Sequence, residues 1–179
     1  MPETKSGQSE AILARAQGCL LGQLAGDALG SLVEFRSPEE IRQAYPYGVR
    51  ELADGGTWKT IAGQPTDDSE MALLLARTLV DCRTYDRETV REAYVYWLES
   101  DPFDCGMTVA RGLCGRPNPE SQANGALMRV SPLGIFGVSH PLPQVAEWAR
   151  RDASLTHPHP VCLQANALYA MAIAQAIRT

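Results

Sequence analysis

Four glycines recur at intervals of four residues, as Gly18, Gly22, Gly26 and Gly30, in the segment GCLLGQLAGDALGSLV. On an α-helix this spacing places them in one nearly continuous stripe without side chains. Each glycine costs about 1 kcal/mol relative to alanine in a helix interior, so the stripe needs a compensating reason. Close approach of another helix is one such reason. Close approach of a ligand is another, because Asp27 lies directly beside Gly26.

The rest of the chain shows helical patterns and no segment with the alternation of β-branched residues typical of strands. The polar stretch between Phe35 and Pro65 has no sustained period, and loops of that length are usually functional or poorly ordered. Helices are predicted at residues 38–44, 67–82, 86–99, 107–113, 143–154 and 160–177, and the apolar segment 126–137 is predicted to bend or break at Pro132. The fold class is therefore all-α.

The chain has 179 residues, which is most simply one domain. The polar residues 1–10 read as a disordered lead-in, and residues 11–179 as a single helical domain. The last helical pattern, ALYAMAIAQAIRT, stops without a glycine cap, a trailing proline or a polar tail. We therefore expect that the domain continues beyond the residues given.

Charge and cysteine content narrow the class of protein. A net charge of -5 without a basic patch argues against nucleic-acid binding. The uninterrupted apolar runs are well short of the roughly 20 residues that span a bilayer. The five cysteines lack C-x-x-C spacing and the first residues lack a signal peptide, which predicts mostly buried, reduced thiols and a cytoplasmic location.

Thr66, Asp67 and Asp68 stand directly before the apolar run of QPTDDSEMALLLARTLV, residues 64–80. In one interpretation this is a helix start, where Asp67 accepts from free backbone N–H groups and Glu70 closes a capping box. In another, the three side chains bind a hard divalent cation, whose charge offsets the repulsion between the two acids. The two interpretations are compatible, because one carboxylate has oxygens for both tasks.

Taken in order, the chain contains GCLLGQLAGDALGSLVEF, PTDDSEMALLLA and NGALMRVSPLGIF, followed by THPHP before a helix. This ordered set resembles the ADP-ribosylglycohydrolase family, of the type that activates dinitrogenase reductase, from about Ala11 to the end of the chain. The resemblance implies a compact, orthogonal multi-helix bundle. It also implies a hydrolase that cleaves the glycosidic bond of ADP-ribosylated protein side chains, arginine above all, or of a related conjugate, and releases ADP-ribose.

The same resemblance implies two divalent cations as cofactors, Mg²⁺ or Mn²⁺, with Thr66, Asp67 and Asp68 among their ligands. Both metals favour oxygen donors, which these three residues supply. The resemblance places Glu34 near the metals and Asp104 near the scissile bond, so the candidate catalytic residues are Glu34, Asp67 and Asp104. The residues that match contacts to ADP-ribose are Gly106, Ser121, Asn124, Gly125 and His157, the last near the adenine-side end of the ligand.

Several of these residues have ordinary alternatives. Glu34 also fits a solvated position at a helix end, and Asp104 fits a surface loop after Pro102. Gly125 fits an ordinary Asn-Gly turn as well as it fits a contact to phosphate or ribose. His157 fits either a ligand contact or a structural role, while the prolines that flank it fix a helix entry and disfavour a histidine metal site.

The family supplies its remaining metal ligands from a D-x-D-T motif near the C-terminus, and these 179 residues contain no such motif. The second metal site is therefore incomplete in the sequence given. Either a second polypeptide provides the motif, or the chain is a piece of a longer enzyme. Two further alternatives are an ADP-ribose-binding module and a structural, crystallin-like relative. The linkage cleaved stays open between arginine, serine and O-acetyl.

Overall fold

The computed structural model describes residues 5–179. Within that part of the chain the only β-structure is an isolated antiparallel bridge between Gly55 and Thr60, which confirms the all-α prediction. The elements are α1 (Lys5–Gly30), α2 (Pro38–Ala44), α3 (Asp67–Cys82), α4 (Arg87–Glu99), α5 (Met107–Leu113), α6 (Ser131–Phe136), a 3-10 turn (Gly137–Ser139), α7 (Leu142–Ala153) and α8 (Pro160–Arg178).

Local sequence signals set most helix starts. Ser37 and Glu40 form a reciprocal capping box at α2. The carboxylate of Asp86 accepts from the Thr89 N–H at 2.8 Å and caps α4. Proline stands in the first turn of α6, α7 and α8, where its missing N–H costs nothing. These positions agree with the helices predicted from the sequence, and Pro132 begins α6 rather than bending a longer helix.

The predicted disordered lead-in is wrong for residues 5–10, which form the first turns of α1. Residues 1–4 lie outside the described residues. Residues 7–10 are exposed, and polar side chains are compatible with a solvated helix that continues the hydrogen-bonding pattern of the turns after it. Treating residues 11–179 as one domain stays a prediction.

The core lies where α3 packs against α4 and α6, and where α8 packs against α6 and α7. Its fully buried side chains include Met71, Leu75, Tyr94, Leu133 and Val145. The helix α3 is buried on one side only, because Leu73, Arg77 and Val80 face solvent. This packing fixes the start of α3, which carries the paired aspartates, against the rest of the bundle.

The helix α8 is long and apolar enough, by length and composition, to cross a membrane. Core helices of soluble proteins meet the same criteria. The helix α8 packs against α6 and α7, its buried residues include Ala167, Ala170 and Ala174, and 33% of its apolar stretch is buried. The buried face of α8 is therefore explained by packing within the bundle.

The glycine stripe of α1 faces open space. An added Cβ at Gly18, Gly22, Gly26 or Gly30 would have no atom within 4 Å beyond its own helix. Close packing of another described helix therefore does not explain the stripe. Instead, three of the glycines line an open groove of about 670 Å³, together with Gln23, Asp27, Asp68 and residues of the segment 124–131.

Candidate functional site

The first turn of α3 is capped by Asp27 of α1, not by the aspartates at its own start. The Asp27 carboxylate accepts from the Thr66 N–H at 3.0 Å, from the Ser69 N–H at 3.1 Å and from the Thr66 hydroxyl at 2.7 Å. The capping box predicted for Asp67 and Glu70 is wrong, because Glu70 instead accepts from the Trp97 indole at 2.7 Å. Since Asp27 accepts from the Thr66 and Ser69 N–H groups, the N-cap residue of α3 supplies no side-chain cap of its own.

A cavity of about 290 Å³ lies beside this helix start. It brings together most of the site residues predicted from the sequence. They come from the turn after α1, the start of α3, the loop before α5, and the segments before α6 and α8. These residues are Glu34, Asp67, Asp68, Asp104, Gly106, Asn124, Gly125 and His157, and the other lining residues are Phe35, Met107, Thr108, Val109, Ala123 and Met128.

Two predicted site residues do not line this cavity. Thr66 is 3% exposed and its hydroxyl donates to Asp27. Ser121 has its hydroxyl within 3.1 Å of the Thr108 hydroxyl, and its carbonyl accepts from Cys162. Ser121 contacts Thr108, which lines the cavity, whereas Thr66 contacts Asp27, which lines the open groove beside α1. A ligand contact by Thr66 or Ser121 stays a prediction.

Glu34 is held at the cavity edge by aromatic residues. The Trp58 indole donates to its carboxylate at 2.7 Å. The Trp58 ring makes edge contacts with Phe35 and Phe103, with centroids 6.3 and 6.0 Å away. Phe35 lines the cavity, is 80% exposed and has a φ of 61°. A non-glycine residue in that region is strained, which is common at functional sites.

Negative charge is concentrated at one end of the cavity. Burial, together with the charges of Asp67, Asp27 and Glu34, raises the pKa of Asp68 to about 7. Burial and then the charge of Asp67 raise the pKa of Asp104 to about 7. The pKa of Asp67 is also raised, chiefly by burial, although the Gly106 backbone opposes the shift. Such a cluster holds protons at neutral pH unless a cation compensates it.

The donor chemistry fits a hard divalent cation, since carboxylate oxygens are the ligands that Mg²⁺ and Mn²⁺ favour. The geometry is less complete. Among residues 5–179, no three His, Cys, Asp or Glu side chains are grouped closely enough to hold a metal ion by themselves. Part of a coordination shell is therefore present on this side of the cavity, and the remaining ligands have to come from water, from substrate or from further protein groups.

Another part of the cavity lining, here named the glycine end, is formed by Gly125 packed against the His157 ring. A Cβ at Gly125 would come within 2.7 Å of the Val109 side chain and 2.9 Å of the His157 ring, so only glycine fits. Burial, then the charge of Arg129, lowers the pKa of His157 to about 4, which keeps the ring neutral at pH 7. His159 caps α8 by accepting from the Val161 N–H at 3.1 Å, which leaves it a structural role.

The cysteine side chains are less buried than the sequence predicts. Within residues 5–179 all five cysteines are free, but only Cys162 is buried, while Cys114 is exposed. The prediction of mostly buried thiols is therefore wrong. Cys105 borders the acidic end of the cavity, and burial followed by the charge of Asp67 raises its pKa to about 11, so it stays a thiol at neutral pH.

Comparison with known proteins decides the family. The sequence profile of the ADP-ribosylglycohydrolase family matches residues 8–179. The chain belongs to the ADP-ribosylglycohydrolase family. The relatives include the ADP-ribosyl-[dinitrogen reductase] glycohydrolase of Rhodospirillum rubrum, which is 39% identical over 82% of this chain. A second is the ADP-ribosylarginine hydrolase Tri1 of Pseudomonas putida (strain GB-1), which is 32% identical over 71% of this chain.

The fold agrees with that membership. A solved structure described as an ADP-ribosylglycohydrolase-related protein complex matches 94% of this chain with a TM-score of 0.78 and 30% sequence identity. The matched region is only part of each relative. It covers 52% of the Rhodospirillum protein, 37% of Tri1 and 58% of the solved chain. The chain thus spans about half the length of the family members it matches.

Sequence reasoning missed three residues that shape the site. Asp27 was noted beside the glycines, but its role as the cap of α3 depends on a contact 39 positions along the chain. Trp58, in a loop without regular structure, donates a hydrogen bond to Glu34. Phe35, the residue after Glu34, lines the cavity beside it. The tryptophan and the Gly-Gly pair before it in DGGTW were the available signals, because a polar loop seldom keeps an indole without a partner.

Proposed function

We propose that this chain forms the ADP-ribose-binding side of a metal-dependent ADP-ribosylglycohydrolase, which cleaves ADP-ribose from a protein side chain, arginine above all. One observation carries the proposal. A single cavity joins a cluster of carboxylates with raised pKa values to a wall formed by glycine backbone and a neutral histidine. The acidic end suits cations and the guanidinium, and the glycine end suits the nucleotide.

Asp67 and Asp68 are the residues we propose to hold the divalent cation, with Thr66 fixing the backbone before them through its bond to Asp27. Both carboxylates line the cavity. A bound Mg²⁺ or Mn²⁺ there would supply Lewis-acid stabilisation of the ribose oxygens and a more acidic bound water. The relatives named above support this assignment only through their family, since their names state a reaction and no metal.

Glu34 and Asp104 face the same cavity and are the proposed acid–base and recognition residues. Glu34 keeps one carboxylate oxygen on the Trp58 indole, which fixes its orientation. Burial, then the charge of Asp67, raises the pKa of Asp104 to about 7 in the protein without a cation, and a carboxyl with a raised pKa suits a general acid or base. When ionised, it also suits a charge-assisted hydrogen bond to a guanidinium leaving group. Both act on the side of the cavity that carries the aspartate pair.

A second candidate function is an ADP-ribose-binding module without turnover. Its support is that the described residues do not form a closed metal site by themselves. The mutual repulsion of Asp67, Asp68 and Asp104 argues against a purely structural, crystallin-like role, since a scaffold gains nothing from charges that repel. We further propose a cytoplasmic location and no nucleic-acid partner, on the basis of the cysteine pattern and the net charge of -5. The comparisons lend no support to a second polypeptide.

The experiment that tests the enzyme proposal is release of ADP-ribose from an arginine-modified protein in the presence of Mn²⁺. It is run on this chain and on a version extended to the length of the relatives. We expect the extended version to release ADP-ribose and its Asp104→Asn variant to lose at least about 100-fold in rate, in line with acid–base catalysis. Binding of ADP-ribose without release by either version would support the binding module instead.

A further inference from the structure

A fully buried ionic pair lies behind the glycine end of the cavity. The Arg129 guanidinium donates to the Asp152 carboxylate at 3.0 Å, and both side chains are 0% exposed. The Tyr94 hydroxyl donates to the other carboxylate oxygen of Asp152 at 3.1 Å, and the Tyr94 ring lies 4.5 Å from the guanidinium carbon. Each charge is thus compensated on several sides, as a buried pair requires.

Of the other two guanidinium nitrogens of Arg129, Nη2 donates to the Asp152 carbonyl at 3.0 Å, and Nη1 donates towards the site. Its Nη1 donates to the Gly125 carbonyl at 3.2 Å and to the Thr156 hydroxyl oxygen at 3.0 Å. Gly125 and His157 line the cavity, and Thr156 is the residue before His157. A Cβ at Gly112 of α5 would come within 2.5 Å of the Thr156 backbone, so α5 also holds this segment closely. The Arg129 guanidinium therefore links the segment that contains Gly125 to the segment that contains Thr156 and His157.

The hydrogen bonds select one tautomer of His157. The Thr156 oxygen lies 2.8 Å from the imidazole Nδ1. A buried hydroxyl proton needs an acceptor, and Arg129 cannot be one because it only donates. Nδ1 is the one other partner of this oxygen among the described residues, so the hydroxyl proton is assigned to Nδ1. Burial and the charge of Arg129 keep the ring neutral, with a pKa of about 4. A neutral imidazole that accepts at Nδ1 carries its proton on Nε2.

The Nε2 atom is the unusual feature. It is buried and has no hydrogen-bond partner among the residues that the structure describes. A buried donor without a partner is energetically unfavourable, so such a group in a functional site is a candidate contact for a ligand or a water molecule. The ring lines the cavity under Gly125, where a Cβ would stand 3.3 Å from Nε2.

We propose that Arg129, Asp152 and Thr156 are positioning residues that fix His157 as the Nε2–H tautomer, which presents one hydrogen-bond donor to an acceptor atom of the ligand. The identity of that ligand as ADP-ribose rests on the proposed function above. None of the three positioning residues touches the ligand. They act through a series of hydrogen bonds. Arg129 donates to Asp152 and to the Thr156 hydroxyl, and that hydroxyl donates to Nδ1 of His157, which leaves the ring proton on Nε2.

The test uses two-bond proton–nitrogen NMR correlation on the protein labelled with ¹⁵N at its three histidines. His140→Asn and His159→Gln variants assign the remaining signal to His157. We expect wild-type His157 to show the pattern of a neutral Nε2–H ring at pH 7. Thr156→Val keeps the side-chain shape but removes the hydroxyl, so the Nδ1–H form should appear, while Thr156→Ser should keep the wild-type pattern.

Calorimetric titration with ADP-ribose in the presence of Mn²⁺ supplies the second readout. We expect Thr156→Val to bind about 10-fold more weakly, as loss of one positioned hydrogen bond implies, and Thr156→Ser to bind like the wild type. A wild-type Nδ1–H ring overturns the proposal, as does unchanged affinity in Thr156→Val. If the valine variant does not fold, the wild-type spectrum and the serine variant still decide. Failure of the wild type to bind ADP-ribose would contradict the proposed function. The tautomer of His157 is tested separately by the NMR spectrum.

Discussion

At the scale of single residues, the acidic end of the cavity is electrostatically unfavourable, because burial and neighbouring carboxylates raise the pKa values of its aspartates. Asp68 is surrounded by Asp67, Asp27 and Glu34, and burial removes part of the water that would screen them. The folded protein keeps this arrangement although it raises the pKa of Asp68 to about 7. Residues that conflict in this way with the rest of a fold are typical of functional sites.

The pH dependence of stability follows from that shift. A carboxyl whose pKa is raised on folding stabilises the folded state below its ordinary pKa of 3.8, and that contribution is lost as pH rises towards 7. Asp68→Asn removes the charge at every pH. In a chelator, we expect this variant to exceed the wild type by about 1–2 kcal/mol in free energy of unfolding at pH 8, after allowance for solvent screening.

The difference should vanish near pH 4, and chemical denaturation at both pH values measures it. His157 acts with the opposite sign, because its lowered pKa destabilises the folded state as pH falls from 6.5 towards 4. Comparing variant with wild type at each pH cancels that contribution. Asp81→Asn, on an exposed position of α3, is the matched control. An equal difference in free energy of unfolding at pH 4 and pH 8 would contradict the role given to the Asp68 charge.

The sequence indicated the residues with distinctive chemistry but not the contacts that orient them. The sequence alone was enough to identify the paired aspartates, the Asn-Gly pair and the histidine before α8 as candidate site residues. The cavity brings these residues together. The capping role of Asp27, the indole that holds Glu34 and the donors behind His157 depend on distant parts of the chain. Periodicity and local propensity carry no information about such contacts.

At the scale of elements, helix positions were predictable because their starts carry local signals. Asp86, Ser37 and the prolines at first turns define their helices within a few residues of chain. The start of α3 was assigned correctly but for the wrong reason, since its cap comes from α1. Capping from a distant helix joins the two elements and places the aspartate pair at their junction.

Removing that cap should destabilise the fold. Asp27→Ala leaves the Thr66 and Ser69 N–H groups without their acceptor, so we expect a loss of about 1–2 kcal/mol in free energy of unfolding. Relief of repulsion with Asp68 offsets part of a larger loss. Asp86→Ala, which removes an exposed cap at α4, is the matched control. Urea unfolding of both measures the difference, and a smaller loss for Asp27→Ala would contradict the role given to this residue.

The glycine stripe gives a second prediction at this scale. Because a Cβ at Gly22 meets open space, Gly22→Ala should stabilise the chain by about 0.5–1 kcal/mol through helix propensity. Gly134→Ala in α6 is the matched contrast, since its Cβ would lie 2.6 Å from the Ile173 side chain and should destabilise by about 1–3 kcal/mol. Thermal unfolding distinguishes the two. Destabilisation by Gly22→Ala would show that the stripe is packed after all.

At the scale of the whole molecule, the site is a surface that the described bundle presents rather than a closed chamber. The 290 Å³ cavity and the 670 Å³ groove share Asp68, Asn124 and Met128, so Asp68 lies where the two meet, while Asp67 lines only the cavity. The chain covers about half of the Rhodospirillum relative. The bundle brings a wall of glycine backbone and histidine together with an acidic pair in one cavity, and release of ADP-ribose is the activity we propose for the protein.

The central claim is that this cavity binds ADP-ribose through a divalent cation held by Asp67 and Asp68. The most direct measurement is calorimetric titration of the chain with ADP-ribose, in Mn²⁺ and in a chelator, for the wild type, Asp67→Ala and the Asp81→Ala control. We predict binding by the wild type and the control that weakens at least about 10-fold in the chelator, and loss of the Mn²⁺ effect in Asp67→Ala. Equal affinity in Mn²⁺ and chelator, unchanged by Asp67→Ala, would contradict the claim.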